Sequence, residues 1–304
     1  MGVNAWLKLI RWPNLLIIIA TQAIIKWAFF PSFGVSQALD GINFLLLMLA
    51  TAFIAAGGYI INDIEDKGID GINRPHALII GRSISEKTGF NAYVAFNALG
   101  VGLGFWVAYA IDKANFAALF VLCSVLLYFY ATSLKKVLLA GNLLIALLTA
   151  LVVLLVGVFD LAPVAHPANQ DTQLRVMGLL MDYAIFAFSL NFIRELVKDI
   201  IDINGDKNFG VNSLPIAIGR ERAGTVIFGF GLISLLAVLY YAYSNFLYSE
   251  LMLAYFFIAL GAPLLLFSIK AWSANRREDY QFLSFLLKII MVLGLISLFI
   301  YPYQ

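Results

Sequence analysis

Two polar stretches of the sequence carry acidic residues at the spacing of a helix face. The first contains Asn62, Asp66 and Asp70, and the second contains Glu195, Asp199, Asp202 and Asp206. Residues three, four or seven positions apart lie on the same side of an α-helix. Each set therefore forms a single polar stripe. Eight of the eighteen acidic residues fall within these two stretches, so the chain concentrates negative charge at two places.

Clustered carboxylates of this kind indicate a site for a hard cation. Neighbouring acidic groups repel each other and resist ionisation unless a cation neutralises them. Oxygen ligands without His or Cys suit Mg²⁺ or Ca²⁺ better than Zn²⁺. Two facing stripes can hold metal ions that bridge a diphosphate and neutralise it as a leaving group. The alternative interpretation, solvated charges near lipid headgroups, does not account for the repeated spacing.

The elements that must position these residues are membrane helices. Hydrophobic residues make up 62% of the 304 residues and charged residues only 12%, a composition that needs lipid around it. Apolar runs recur at close to the ~20 residues that span a bilayer. We predict an all-α, polytopic membrane protein with nine transmembrane helices. Their ranges are 15–31, 42–61, 90–111, 115–133, 138–159, 177–196, 223–243, 250–269 and 282–302.

The distribution of basic residues predicts the orientation of these helices. Sixteen of the twenty Lys and Arg residues fall on the side that also carries both acidic stretches. The positive-inside rule makes that side cytoplasmic, so we expect a multi-pass protein, in the inner membrane if the source is a bacterium, whose active site faces the cytoplasm. The single Cys123 excludes an intrachain disulfide. No basic run with interleaved aromatic residues indicates nucleic acid, and no obligatory protein partner is indicated.

The two acidic stretches also mark an internal repeat. Each closes on Ile-Gly-Arg, at Arg82 and at Arg220, and Asp66 and Asp202 are 136 residues apart. Four predicted helices separate them, which indicates two similar halves around a central cavity. Helix 9 is then an addition to the repeat. No linker or large loop interrupts the helices, so residues 1–304 are expected to form one membrane domain.

The motifs resemble those of a known family. Asn62-x-x-x-Asp66-x-x-x-Asp70 and Asp202-x-x-x-Asp206 resemble the paired signatures of the UbiA superfamily of intramembrane prenyltransferases. The resemblance implies that these five residues bind Mg²⁺ and a prenyl diphosphate, and that the four aspartates are the catalytic carboxylates. Asp199 is a further candidate metal ligand.

The resemblance extends to basic and aromatic residues near the diphosphate. Tyr130 and Lys135 resemble the family's Tyr/Lys element, although Lys135 is equally explained as a cytoplasmic anchor. Arg74, which precedes Pro75, resembles the family's Arg-Pro pair and is expected to contact a phosphate oxygen. The family pattern often continues to a second basic residue before proline. Here His76-Ala77-Leu78 follows instead.

Further candidates lie on three predicted helices. Arg194 and Lys198 either bind the diphosphate or offset nearby acids. Arg11 and Asn14 match a family position near the acceptor, and Arg11 has the alternative role of a membrane anchor. Lys288, inside the ninth helix, is expected to extend to the cytoplasmic surface.

The resemblance implies ionisation of an allylic prenyl diphosphate and transfer of the prenyl group to a lipophilic acceptor. Membrane lipid is the other expected partner. The motifs are most similar to the branch that geranylgeranylates geranylgeranylglyceryl phosphate, the digeranylgeranylglyceryl phosphate synthases. Aromatic prenyltransferases of quinone or chlorophyll-type biosynthesis are the alternative. A cation-coupled transporter is a remote alternative, because transporter acids typically lie near the middle of the bilayer.

Overall fold

The computed structural model describes residues 2–76 and 78–301 of the chain. Within those residues, nine helical segments are long and apolar enough to cross a membrane. The prediction of nine transmembrane helices in an all-α protein is thereby confirmed, although the end of the ninth predicted range, residue 302, lies outside the described residues. In chain order, α1 to α9 are Trp12–Phe33, Gly41–Glu65, Glu86–Ala110, Ala114–Thr132, Ala140–Val164, Gln170–Asn208, Arg220–Phe246, Glu250–Ser273 and Arg277–Ile300.

Short helices flank or interrupt these segments. Val3–Leu9 precedes α1, Lys67–Asn73 follows α2, and Leu214–Ile218 follows α6. Helices α1 and α8 are π-helical over Ile25–Phe29 and Phe256–Gly261, respectively. Among the described residues there is no β-strand, so side chains and short connections must hold the helices together.

Helix α6 is much longer than its predicted range of 177–196. It contains 39 residues, about 58 Å at 1.5 Å per residue, which is nearly twice the thickness of the hydrocarbon core. The second acidic stretch therefore lies on the helix itself and not in a loop after it. The first stretch is also largely helical: α2 ends at Glu65, Asp66 has φ −86° and ψ 1°, and a new helix begins at Lys67. The expectation that Asn62, Asp66 and Asp70 share one face is consistent with this geometry.

Six of the nine helices surround a central cavity. Its lining residues come from α1, α2, α4, α5, α6 and α9 and from the connections after α2, α4 and α6. Of the described residues, none from α3, α7 or α8 lines it; α3 packs against α2, and α7 packs against α6 and α8. The two halves of the repeat are therefore not equivalent around the cavity. Helix α4 contributes to the wall whereas its counterpart α8 does not, and α9 completes the ring.

Close packing of α2 against α3 depends on small residues. A Cβ atom at Gly100 would lie 2.6 Å from the side chain of Ile54 and 3.1 Å from the backbone oxygen of Ala50. Only glycine permits this approach of two backbones, as is common between membrane helices. The adjacent face of α2 lines the cavity, and Ile54 borders both.

A buried ion pair joins α1 and α5 at the end of the bundle opposite the acidic motifs. Lys26 and Asp160 are 5% and 0% exposed, with 2.7 Å between Nζ and Oδ2. Lys26 also donates to the backbone oxygen of Leu39, and the Leu39 amide donates to Asp160. Such a pair is stable away from water only when both partners are fully hydrogen-bonded. It fixes the connection between α1 and α2 against α5.

The helix order predicts that the residues after α2 and α6 lie on one side of the membrane. In a Cys123→Ala background, single cysteines at the exposed positions Ser83 and Lys207 should react alike with a membrane-impermeant maleimide in intact cells. Tyr248, 98% exposed between α7 and α8, is the control for the other side. A cysteine at position 248 should be accessible from the opposite side of the membrane, so it should be labelled when the cysteines at 83 and 207 are not, or the reverse. Reaction of the Ser83 and Lys207 variants from different sides would disprove this topology.

Candidate active site

The two acidic segments meet at one end of the cavity and are held by cations from other elements. Asp66 accepts hydrogen bonds from Lys135 Nζ at 2.6 Å and from Asn62 Nδ2 at 2.8 Å. Lys135 belongs to the connection between α4 and α5, in the short turn Leu134–Lys136. Arg74, which follows the short helix after α2, donates to Asp202 on α6. Each of these ion pairs therefore joins two different parts of the chain.

An asparagine that the sequence analysis did not single out joins the two acidic segments directly. The side chain of Asn73 donates to the backbone oxygen of Asp202 at 2.9 Å and accepts from the backbone amide of Gly205 at 2.8 Å. Its own backbone oxygen accepts from Arg277 on α9. A Cβ atom at Gly205 would lie 2.4 Å from Asn73 Nδ2. The glycine is therefore needed for the two segments to approach.

Every site residue predicted from the sequence borders the same cavity, whose volume is about 510 Å³. The structure brings all of them together, while the individual roles stay predictions. The residues are Arg11, Asn14, Asn62, Asp66, Asp70, Arg74, Tyr130, Lys135, Arg194, Lys198, Asp199, Asp202 and Asp206.

The cavity changes from polar to apolar along α5. Asn142, near the acidic end, donates to Asp199 Oδ2 at 3.0 Å. One and a half turns further along α5, Leu148 faces the cavity, and Leu155 lies deeper still. An anionic group at the acidic end can therefore be continuous with a hydrocarbon chain inside the bundle. Asn142 was missed because a single asparagine at the start of a helix carries no distinctive sequence signal.

A second polar group lies where α1, α2 and α9 meet. Arg11 donates to Asp63 at 3.0 Å, and its guanidinium lies 4.8 Å from the centre of the Tyr59 ring. Lys288 donates to Asn14 Oδ1 at 2.9 Å. The expectation that Lys288 extends to the cytoplasmic surface stays a prediction; in the structure its acceptor is Asn14, the third residue of α1. The sequence signal that could have indicated a role for Lys288 in the cavity is its position as a charged residue in the middle of an apolar helix.

The donor set fits a hard divalent cation. Five carboxylates line this part of the cavity, and among the described residues the cations paired to them are Lys135 and Arg74. Negative charge is therefore in excess even before a diphosphate binds. Asp202 Oδ1 and Asn62 Oδ1 are buried acceptors without hydrogen-bond partners among the described residues. Burial, together with the nearby charges of Asp66 and Asp63, raises the pKa of Asp70 to about 6.

Metal binding here requires some rearrangement. No group of three or more His, Cys, Asp or Glu side chains within the described parts of the chain lies close enough together to enclose a metal ion. Lys135 and Arg74 hold Asp66 and Asp202 instead. A cation must therefore compete with these two side chains for the carboxylates.

The fold and site define a multi-pass membrane protein with an acid-rich site at the mouth of an apolar cavity. The chain belongs to the UbiA prenyltransferase family, which matches residues 25–292. The resemblance drawn from the two acidic motifs is thereby confirmed. The same membership argues against the transporter alternative.

Similar sequences are digeranylgeranylglyceryl phosphate synthases of archaea. The protein from Sulfolobus acidocaldarius is 31% identical over 230 residues, which cover 73% of this chain and 72% of that protein. The protein from Methanosarcina mazei is 32% identical over 246 residues, covering 77% and 78%. The protein from Pyrococcus horikoshii is 35% identical over 204 residues, covering 65% and 66%.

Solved structures share the fold over nearly the whole chain. A UbiA homolog from Aeropyrum pernix K1 has a TM-score of 0.67 at 17% identity, covering 93% of this chain and 98% of that one. A structure described as digeranylgeranylglyceryl phosphate synthase in membranes has a TM-score of 0.63 at 23% identity, covering 99% and 98%. A UbiA homolog from Archaeoglobus fulgidus, bound to GPP and Mg²⁺, has a TM-score of 0.56 at 18% identity, covering 97% and 99%.

The contacts of Asn73 predict a specific loss of stability. Asn73→Ala removes two hydrogen bonds between the acidic segments and leaves a buried backbone amide without its partner, which should cost about 1–3 kcal/mol. Thermal unfolding of the detergent-solubilised variant should show a lower midpoint than the wild type. The control is Asn245→Ala, because Asn245 is exposed and its side chain donates to a backbone oxygen of its own helix. Equal midpoints for both variants would show that Asn73 does not hold the segments together.

Proposed function

We propose that this prenyltransferase ionises geranylgeranyl diphosphate and transfers the geranylgeranyl group to geranylgeranylglyceryl phosphate, with Mg²⁺ as cofactor. The observation that carries the proposal is the pair of opposed carboxylate sets at the mouth of a long apolar cavity. The names of the similar archaeal synthases support the acceptor. We further propose that residues 1–304 act as one membrane domain, with the site facing the cytoplasm, and in a bacterium lie in the inner membrane.

Five carboxylates and the amide oxygen of Asn62 would hold the metal ions in this proposal. The residues are Asn62, Asp66, Asp70, Asp199, Asp202 and Asp206. Mg²⁺ bound there supplies positive charge that offsets the charge developing on the diphosphate as the allylic bond breaks. The solved UbiA homolog with GPP and Mg²⁺ supports this choice of cation and substrate. Oxygen donors alone, without His or Cys, are also what Mg²⁺ prefers.

Three other side chains act on the diphosphate. Lys135 and Arg74 exchange their carboxylate partners for phosphate oxygens, which stabilises the leaving group. Tyr130 lines the same part of the cavity and orients the diphosphate by hydrogen bonding. The apolar cavity below keeps water away from the allylic cation.

The reaction then balances without a further reactant. The bond between the allylic carbon and the diphosphate oxygen breaks, and the acceptor hydroxyl oxygen forms an ether bond to that carbon. The hydroxyl proton passes to the released diphosphate. The products are the ether lipid and inorganic diphosphate.

The depth of the cavity supports a twenty-carbon chain. On α5 the lining residues include Asn142 at the acidic end and Leu155 at the deep end, a rise of about 20 Å at 1.5 Å per residue. An extended geranylgeranyl chain of four isoprene units is also about 20 Å long from ordinary bond lengths. Shorter chains would leave the deep end unfilled, and longer ones would meet Leu155 and the buried Phe120.

Removal of single carboxylates tests the chemistry. Asp66→Ala and Asp202→Ala should each lower the rate of diphosphate release by about 100-fold or more, because a lost charge cannot be replaced by water. EDTA should abolish turnover, and added Mg²⁺ should restore it. Asp171→Ala, at the opposite end of α6, is the matched control and should behave as the wild type.

The same assay decides the acceptor. Geranylgeranyl diphosphate is offered with geranylgeranylglyceryl phosphate, homogentisate, 4-hydroxybenzoate or dihydroxynaphthoate in parallel. Product is expected only from the glyceryl phosphate. Full activity in EDTA or in both alanine variants would contradict the metal site, whereas transfer only to an aromatic acid would contradict the acceptor.

Chain length is tested by filling the cavity. Leu148 lies six residues, about 9 Å, beyond Asn142 on α5, so Leu148→Trp should leave room for about two isoprene units. The ratio of kcat/KM for geranyl over geranylgeranyl diphosphate should rise by about ten-fold or more. The control is Leu147→Trp, because Leu147 is 56% exposed on the outer face of the same helix. An unchanged ratio for Leu148→Trp would place the prenyl chain elsewhere.

A further inference from the structure

The wall of the cavity formed by α1, α6 and α9 has the opposite charge to the acidic end. Four cations line it or stand at its entrance, and the carboxylates that form ion pairs with them are Asp63 and Glu195. The cations are Arg11, Arg194, Lys198 and Lys288. This cationic wall therefore carries more positive than negative charge, by about two.

The carboxylates do not neutralise all four cations. Arg11 is paired with Asp63. Arg194 and Lys198 share Glu195, at 3.7 Å and 2.8 Å. Glu195 is 6% exposed, so one buried carboxylate serves two cations. A positive charge is therefore left over on α6.

Lys288 adds to this excess. Its hydrogen-bond acceptor among the described residues is the neutral amide oxygen of Asn14. It also lies close enough to Arg194 for the two cations to repel each other. The Nε atom of Arg194 is buried and lacks a hydrogen-bond partner among the described residues. Two neighbouring cations whose hydrogen-bond donors are not all used indicate a site for an anion in a membrane protein.

This site is adjacent to the acidic end and distinct from it. Tyr130 is close enough to Asp66, Asp199, Glu195 and Arg11 to interact electrostatically with all four. Both charge sets line one continuous cavity. A molecule anchored on the cationic wall can therefore reach toward the acidic end without crossing a helix.

We propose that Lys288 and Arg194, supported by Arg11 and Lys198, bind the phosphate monoester of the acceptor. The inference rests on the proposed function and names the residues that select a phosphorylated acceptor. A phosphate monoester carries about −1.5 to −2 charges at neutral pH, which matches the excess positive charge. This phosphate remains in the product, so it needs a place apart from the leaving diphosphate, which would repel it.

The chemistry of a glyceryl phosphate fits this separation. Its free hydroxyl lies on the carbon next to the phosphate-bearing carbon, so the oxygen is roughly 4–5 Å from phosphorus by ordinary bond lengths. Anchoring the phosphate at Lys288 therefore directs the hydroxyl toward Tyr130 and the allylic carbon. Lys288 in this proposal binds the acceptor and thereby sets the position of its hydroxyl.

The test compares acceptors with and without the phosphate. In Lys288→Met, and in Lys288→Gln as a second variant, the KM for geranylgeranylglyceryl phosphate should rise by about ten-fold, which corresponds to about 1.4 kcal/mol. The KM for geranylgeranyl diphosphate should stay within about two-fold, which also reports that the protein is folded. With geranylgeranylglycerol, which lacks the phosphate, wild type and variants should have equal KM values. Lys288→Arg keeps the charge and should restore most of the affinity.

The control substitution is Lys270→Met, because Lys270 is an exposed residue near the end of α8. An unchanged KM for the phosphorylated acceptor in both Lys288 variants would overturn the inference and leave the proposed function intact. An equal loss with geranylgeranylglycerol would also overturn it, because the effect would not depend on phosphate. Wild-type protein that prenylates only an aromatic acid would overturn both the inference and the proposed acceptor.

Discussion

Repulsion between the two acidic segments is the constraint on which the rest of the structure depends. Five carboxylates converge at one end of the cavity, and their charges interact strongly where little water screens them. Lys135 and Arg74 offset two of these charges from other parts of the chain, and Asn73 adds neutral hydrogen bonds between the segments. The same contacts therefore join α2, the connection between α4 and α5, and α6 around the cavity.

Helix α6 separates the two kinds of charge by its own geometry. At about 100° per residue, the cations Arg194 and Lys198 lie on one edge of its polar face, and Asp199 and Asp206 lie roughly 80–140° away. The cationic edge faces Lys288 of α9, and the acidic edge faces Asn142 of α5. These charges lie in the C-terminal part of the 39-residue helix, beyond its apolar segment.

The fold could largely be predicted from the sequence, whereas the hydrogen bonds and ion pairs between distant parts of the chain could not. Apolar length identifies membrane helices, and acids four apart identify the motifs because both patterns are local. The partner of Asn73 is 129 residues away, and no local pattern signals it. The buried partner of Lys26, Asp160, is 134 residues away, which is equally invisible to a local pattern. Lys288 donates to Asn14, which lies 274 residues earlier in the chain, so no local pattern signals this contact either.

The position of these charges along α6 limits where the reaction can take place under the proposed function. Arg194 and Asp202 are eight residues apart, about 12 Å along the axis. A leaving diphosphate near Asp202 and a retained phosphate near Arg194 therefore bracket the allylic carbon and the attacking hydroxyl between them. The two anions stay far enough apart to limit their repulsion and close enough for a three-carbon glycerol unit to connect the sites. One helix thus sets both the charge separation and the distance that the transfer requires.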